Sequence, residues 1–297
     1  MTDSSQIHNN SIVETIEWIP VNGTEHYTRL YNSPSDIKAT LVIIHGFGEH
    51  SDRYEGMARR FVQNNIRVFA FDSKGFGRTG IKAGKLGNIG NFKSVYSTIY
   101  KMINLLKEKF PNEPVFLYGH SMGGNIVLNY CAEESYCGTV VSVISSAPAL
   151  KTDPRVMPPS FVISLLRSIA KTFPSIPVKS GIKEEDLTSN LVELSKFRKS
   201  IYNFNVSDIG SMASMLEEGD LCREEKSKTY KIPVLLAHGR GDVVTSVSGS
   251  EEFYNNLPAD LDKKLMIFDS NYHEIHFEEN IQEQVFITYL DWINSHI

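Results

Sequence analysis

Along most of the chain, short apolar runs of strand length alternate with stretches whose apolar residues keep helical spacing. The runs Leu41 to Ile44, Arg67 to Phe71, Val115 to Tyr118, Val140 to Ile144, Val234 to Ala237 and Lys264 to Phe268 read as strands. Several are apolar throughout, as expected where both faces of a sheet are covered. Between them, Tyr54, Met57, Ala58, Phe61 and Val62 fall at i, i+3, i+4, i+7 and i+8, the spacing of a helix with one buried face. Further helices are expected near Phe92 to Lys109, after Ser121 with Ile126, Val127 and Tyr130 as the apolar face, and from about Ile281 to His296. This alternation predicts an α/β fold, with helices packed on a mostly parallel central sheet. The start differs: Ile12 to Ile19 and His26 to Tyr31 flank Asn22-Gly23, a dipeptide suited to a tight hairpin turn, which predicts an antiparallel edge to the sheet.

The rhythm breaks after Pro148. From Ala149 to Thr229 the sequence is helical and loop-like, with prolines at 154, 158, 159, 174 and 177 and no strand signal, so residues 1–148 and 230–297 read as the core and 149–229 as an inserted helical cap. Past Pro158-Pro159, the residues Phe161, Val162, Leu165, Leu166 and Ile169 share one helical face and Ser164, Arg167, Ser168 and Lys171 the other. Periodicity alone favours packing of that apolar face as core over contact with a lipid surface.

Composition narrows the class. With 41% hydrophobic content over 297 residues, the chain can bury a large core. A net charge of -5 and no Lys/Arg block interleaved with aromatics argue against nucleic acid as a partner. Cys131, Cys137 and Cys222 have neither disulfide-framework nor metal-ligand spacing, which suits a reducing compartment and gives no metal site. Met1 to Asn10 lacks the apolar core of a signal peptide and no run of 18 apolar residues occurs, so a non-secreted protein with at most peripheral membrane contact is expected.

The chemistry centres on P-V-F-L-Y-G-H-S-M-G-G-N, residues 114 to 125, where an apolar strand runs through a G-x-S-x-G turn into a helix. A serine at such a corner has a strained backbone that exposes its hydroxyl, and the helix end beyond it favours an oxyanion, which nominates Ser121 as a nucleophile. A serine hydroxyl needs a histidine base and an orienting acid. Asp242 follows the strand in I-P-V-L-L-A-H-G-R-G-D, and His273 follows the last strand in K-L-M-I-F-D-S-N-Y-H-E, giving the chain order Ser, Asp, His. Loops at the carboxyl ends of parallel strands gather at one sheet edge, so such distant positions can meet. Asp220, Asp262 and Asp269 are rivals for the acid, and His276 is the second choice for the base. The strand ending in His45-Gly46-Phe47-Gly48 should supply the second oxyanion donor, so the backbone N–H groups of Phe47 and Met122 form the expected pair. No metal or organic cofactor is required by this chemistry.

Together, H-G-F-G-E-H-S-D-R-Y, F-D-S-K-G-F-G-R-T-G, G-H-S-M-G-G and Y-H-E-I-H-F-E make the chain resemble the monoacylglycerol lipases, in their fungal form, over nearly its whole length and least in the cap. The resemblance implies an α/β-hydrolase fold, a Ser121, Asp242, His273 triad, and hydrolysis of monoacylglycerol to glycerol and a fatty acid. It also implies head-group contacts from Glu49, Arg53, Tyr202 and His276, and a cap that meets lipid droplets or the endoplasmic reticulum membrane from the cytoplasmic side. It reverses the preference drawn from periodicity alone and makes the amphipathic cap helix a lipid-docking element. Where the mammalian relatives carry a cysteine three residues after the triad acid, this chain has Thr245. The alternatives are another ester or thioester substrate on the same triad, or a binding protein reusing the pocket.

Overall fold

The computed structural model describes residues 12–34, 36–153, 155 and 160–297. Strands β1 (Val13–Val21) and β2 (Thr24–Asn32) form the expected hairpin, with Asn22 and Gly23 at φ 51° and 74°. Positive φ at both turn residues matches the twist of the flanking strands. In chain order there follow β3 (Ala39–Ile44), α1 (Glu55–Gln63), β4 (Ile66–Phe71), α2 (Gly77–Ala83), α3 (Phe92–Lys109), β5 (Val115–His120), α4 (Met122–Ala132), α5 (Glu134–Cys137) and β6 (Ser142–Ser146). The chain then leaves the sheet to build α6 (Ser160–Thr172), β7 (Pro177–Lys179), α7 (Leu191–Lys199), β8 (Val206–Asp208) and α8 (Ile209–Glu224). It returns with β9 (Val234–Gly239), α9 (Val247–Asn256), β10 (Lys263–Phe268) and α10 (Gln282–Asn294).

Eight strands form one sheet in the order β1-β2-β4-β3-β5-β6-β9-β10. The β1/β2 and β2/β4 pairs are antiparallel, and β4 through β10 along that order run parallel. Side chains alternate between the two faces. Val42, Ile44, Leu117 and Leu236 join the core under α3, α4 and α9, whereas Leu41, Ile43, Phe116, Tyr118 and Leu235 join the one under α1 and α10. Each fully buried Leu, Ile or Phe contributes about 1.5–3 kcal/mol, so both faces hold the sheet flat against its helices and fix the loops at its edge. On α1 the expected stripe is found: Ala58, Phe61 and Val62 are buried, with Tyr54 buried just before the helix.

The segment between β6 and β9 differs from expectation in one respect. It contains two strands, β7 and β8, paired antiparallel with Pro177 opposite Asp208 and Lys179 opposite Val206. At three residues each they are too short to show alternation, and β8 leads directly into α8, which packs on α6. The strand expected at Val140 to Ile144 lies two residues later, at Ser142–Ser146. Pro158-Pro159 and the side chains of Phe161, Val162 and Leu166 lie outside the described residues. Of the remaining expected apolar face, Leu165 is 58% exposed, so it is not core.

Candidate active site

Strand β5 delivers Ser121 to the sheet edge at φ 55° and ψ −117°, a conformation that non-glycine residues adopt only under strain. The corner is that sharp because the chains around it touch. A Cβ on Gly119 would run into the Gly123 carbonyl, and one on Gly123 into the Ile44 carbonyl of β3. The corner is held by Ser121 N–H donating to the Ser146 carbonyl at 2.9 Å and by the Ser121 carbonyl accepting from Asn125 and Ala149.

The loops after β9 and β10 are tied together: Arg240 N–H donates to the Phe268 carbonyl and Gly241 N–H to the Ser270 carbonyl, both at 2.9 Å. This brings the buried Asp242 and His273 side chains into contact, Nδ1 to Oδ2 at 2.7 Å. Burial works against both charges. Each outweighs it for the other: His273 holds the Asp242 carboxyl well below the usual carboxylate range, and Asp242 raises the His273 imidazole above its ordinary value. His273 Nε2 is buried and makes no hydrogen bond to the described residues, Ser121 included, although both residues line one cavity. In ligand-free hydrolases this contact is often long and tightens around substrate. The rivals go elsewhere: Asp220 pairs with Arg167 and Arg223, Asp262 with His296, and Asp269 lines a separate groove.

The loop after β3 is fixed by its own side chains. Ser73 N–H donates to His45 Nε2 at 2.9 Å, so Nδ1 carries the ring proton and donates to the Gly46 carbonyl at 2.7 Å. Glu49 accepts the Gly46 N–H. Gly46 is therefore spent, whereas the Phe47 and Met122 N–H groups have no acceptor among the described residues. Those are the two donors expected for an oxyanion.

Two cavities meet at Ser121. The first, about 110 Å³, is mixed: its polar side is made by Glu49, Arg53, His120, His273 and Glu274 beside Ser121, and Phe47, Leu187, Phe197 and Phe204 line much of the rest. Arg53 donates to Glu49 at 2.6 Å and forks onto both oxygens of Glu274, and Tyr54 donates to Glu49 at 2.7 Å. Burial opposes ionisation of Glu49, but Arg53 overcomes it and holds the carboxyl far below its usual range. The second cavity, about 250 Å³, is mostly apolar. Ile163, Val178, Ile209, Met212, Met215 and Leu216 line it, with Phe47, Ser121 and Thr245 at the core side. Lys151 and Arg167, each paired with a carboxylate, also reach it, as do Lys179, Lys183 and Asp186. A nucleophile between a charged pocket and a greasy one can transfer an acyl group from an ester with a polar alcohol and an apolar acid.

A model of the Hydrolase_4 family, described as serine aminopeptidase, S33, matches residues 35–280. The chain belongs to this family. Among its relatives, an uncharacterized abhydrolase domain-containing protein of Dictyostelium discoideum is 28% identical over 260 residues, 87% of this chain and 26% of that protein, so the chain spans about a quarter of that relative. A monoacylglycerol lipase of Mycolicibacterium smegmatis is 27% identical over 279 residues, 93% of this chain and 95% of that one. In fold, the Hydrolase_4 chain matches a soluble variant of monoglyceride lipase from Saccharomyces cerevisiae, solved with a substrate analog, at a TM-score of 0.85 and 22% identity over 96% of each chain.

Two of the expected head-group residues of this Hydrolase_4 chain do not reach the polar cavity. Tyr202 packs on the His50 ring and under the Arg78 guanidinium. His276 is stacked on Tyr54 at 5.6 Å, and burial pushes it down to about 3, so it is neutral at physiological pH. Resemblance pointed to them by sequence position, but the turn at Ile275–Phe277 lays the His276 ring on Tyr54 with both ring nitrogens buried. Sequence reasoning missed His120 and Glu274, and singled out Thr245 only for the cysteine it replaces. The first two adjoin Ser121 and His273 in sequence, so adjacency was the available signal.

Proposed function

We propose that this protein is a serine esterase that hydrolyses the single ester of a monoacylglycerol, releasing glycerol and a fatty acid. The observation that carries the reading is Ser121 lining both cavities, with the polar one suited to glycerol and the apolar one to an acyl chain. The lipase names of the Mycolicibacterium and yeast proteins support it. An aminopeptidase would need a free carboxylate for the substrate's amino group. Glu49 and Glu274 share Arg53, and Glu184 is paired with Arg198, so each of these carboxylates already has a basic partner, which favours an ester of an uncharged alcohol.

In this mechanism Ser121 Oγ attacks the ester carbonyl as its proton passes to His273 Nε2, and the same proton leaves with the glycerol oxygen. Asp242 holds Nδ1–H and stabilises the imidazolium. The Phe47 and Met122 N–H groups receive the oxyanion, each worth about 3 kcal/mol in the transition state. Water then repeats the sequence on the acyl-enzyme. Glu49 and Arg53 face the glycerol.

Residues 149–229 act as a cap over the site and as its route to lipid. Leu165 and Phe173, 58% and 62% exposed, would enter a lipid surface such as that of a lipid droplet or the endoplasmic reticulum. Among the described residues no helix is long and apolar enough to cross a membrane, in keeping with peripheral contact.

The test is glycerol release from a monoacylglycerol beside di- and triacylglycerol and a lysophospholipid. Monoacylglycerol should be preferred, and Ser121→Ala should lower turnover about a millionfold with the fold retained. Ser121-dependent preference for another substrate would overturn the substrate, and no turnover on any would overturn the enzyme.

A further inference from the structure

The carboxylate beside His273 carries a second imidazole. His238 lies on β9, four residues before Asp242, and has no exposed surface. Its Nε2 stands 3.2 Å from Asp242 Oδ2 and 3.2 Å from the Thr245 carbonyl oxygen. Both atoms are acceptors, so Nε2 carries a proton. The other nitrogen, Nδ1, is 2.8 Å from Ser250 Oγ on α9, a hydroxyl free to donate to it.

Asp242 Oδ2 therefore faces three donors: His273 Nδ1 at 2.7 Å, the Thr245 hydroxyl at 3.0 Å and His238 Nε2 at 3.2 Å. The Thr245 hydroxyl has a single proton and a second acceptor, the Ala147 carbonyl at 3.1 Å. On the other carboxylate oxygen, Oδ1, the N–H groups of Val244 and Thr245 are already bound. A hydrogen bond donated to a carboxylate draws negative charge away from it, so what His238 takes is withheld from His273.

We propose that His238 is a positioning residue of this site: its Nε2–H holds Asp242 Oδ2 in line with His273 Nδ1 and limits the negative charge that Asp242 presents to that ring. The benefit is a base that remains neutral over a wider pH range. A carboxylate left to His273 alone would keep the ring protonated, and a protonated ring cannot accept the Ser121 proton. Other titratable groups also face the pair. Glu49, Glu274, Arg53, His120 and His276 surround His273, and Asp153 and Arg155 lie beside Asp242. None is altered in the variants below, so a shift seen there belongs to His238.

The inference rests on Asp242 and His273 working as proposed above. Its test needs no substrate: the titration midpoint of His273 by NMR on ring-labelled histidine in the whole protein. A parent without Ser121-dependent turnover would sink the enzyme reading, whereas the midpoint still reads the His238 contact. His238→Leu removes the donor, and His238→Gln keeps an N–H close to the place of Nε2. In the Leu variant the midpoint should rise by about 0.5–1 pH unit, with the acid limb of kcat/KM on a short-chain ester moving alongside. The Gln variant should stay within about 0.2 unit of the parent. An unchanged midpoint in the Leu variant, or an equal shift in both, overturns the proposal. Should the Leu variant fail to fold, the ring nitrogen shifts of His238 in the unaltered protein decide: a proton on Nε2 upholds the proposal and a proton on Nδ1 alone overturns it.

Discussion

On one side of Ser121 the wall is dominated by charges that already have partners; on the other it is made largely of methionine and branched aliphatic side chains. The polar wall is set before substrate arrives, because Arg53 is locked between Glu49 and Glu274 and Glu49 also holds the Gly46 N–H and the Tyr54 hydroxyl. Most of it comes from the loops at the sheet edge. The apolar wall comes from α6, β7 and α8, the segment between β6 and β9, and includes Met212 and Met215. Thioether side chains adapt to many shapes at little cost. The difference suggests a division of labour, with the alcohol selected by fixed polar geometry and the acyl chain admitted by a wall that yields. It also predicts that the same size of perturbation has unlike consequences on the two sides.

The largest effect should come from unlocking the polar wall. Arg53→Ala leaves two buried carboxylates without their cation, and breaking such a pair typically costs about 3–5 kcal/mol. Urea unfolding at pH 7 measures it. The sign with pH follows from Glu49, whose carboxyl is held far below its ordinary value of 4.5 once Arg53 has overcome burial. Stability from this pair is complete above that ordinary value and is lost as pH falls towards the folded value, so the variant should show a flatter acid dependence than the parent. A stability loss under about 1 kcal/mol would mean that the polar wall is not locked in the sense argued here.

Why the two walls were unequally legible in the sequence follows from how each is encoded. The sheet edge is written locally: apolar runs fix β3, β5, β9 and β10, and each ends in a turn that carries a proposed functional group, so Ser121, Asp242, His273 and the Phe47 turn could be nominated from position alone. Glu49 and Arg53 lie a few residues past β3 and share that advantage. Tyr202 and His276 did not, because the direction of a side chain in a short turn depends on what packs over it, here Tyr54 and Arg78. The apolar wall is encoded least. Met212, Met215 and Leu216 face the cavity because α8 is laid against α4 and α6, and no spacing within α8 reveals which neighbour it will meet. His238 was hidden for a related reason, since a histidine inside an apolar strand shows its purpose only when Asp242 and Ser250 are seen around it.

A second test adds bulk to the yielding side. Ala213 lines the apolar cavity, and Ala213→Trp should fill part of it without displacing core atoms. For a long-chain monoacylglycerol kcat/KM should fall about 10–100-fold, while a butyryl ester, which needs little of the cavity, should stay within about threefold. Equal losses on both would show that the acyl chain lies elsewhere. Equal retention on both would show that the wall yields further than its side chains suggest.

The smallest effect should appear at the outer surface of the same segment, and it separates admitting a chain from reaching it. Leu165 and Phe173 are exposed and touch neither cavity, so placing aspartates there should change folding stability by no more than about 0.5 kcal/mol. Burying one such side chain in a lipid surface is worth about 1.5–3 kcal/mol, of which a partly inserted residue recovers a fraction. The double variant, Leu165→Asp with Phe173→Asp, should therefore lose about tenfold in partition onto phosphatidylcholine vesicles and keep its full rate on a dissolved short-chain ester. If vesicle binding is unchanged, lipid contact runs through another surface, and the apolar wall serves only to hold the chain once it has arrived. If the dissolved ester slows as well, the aspartates have reached the site through α6, whose Ile163 lines the cavity, and the outer and inner faces of that helix cannot be treated as separate.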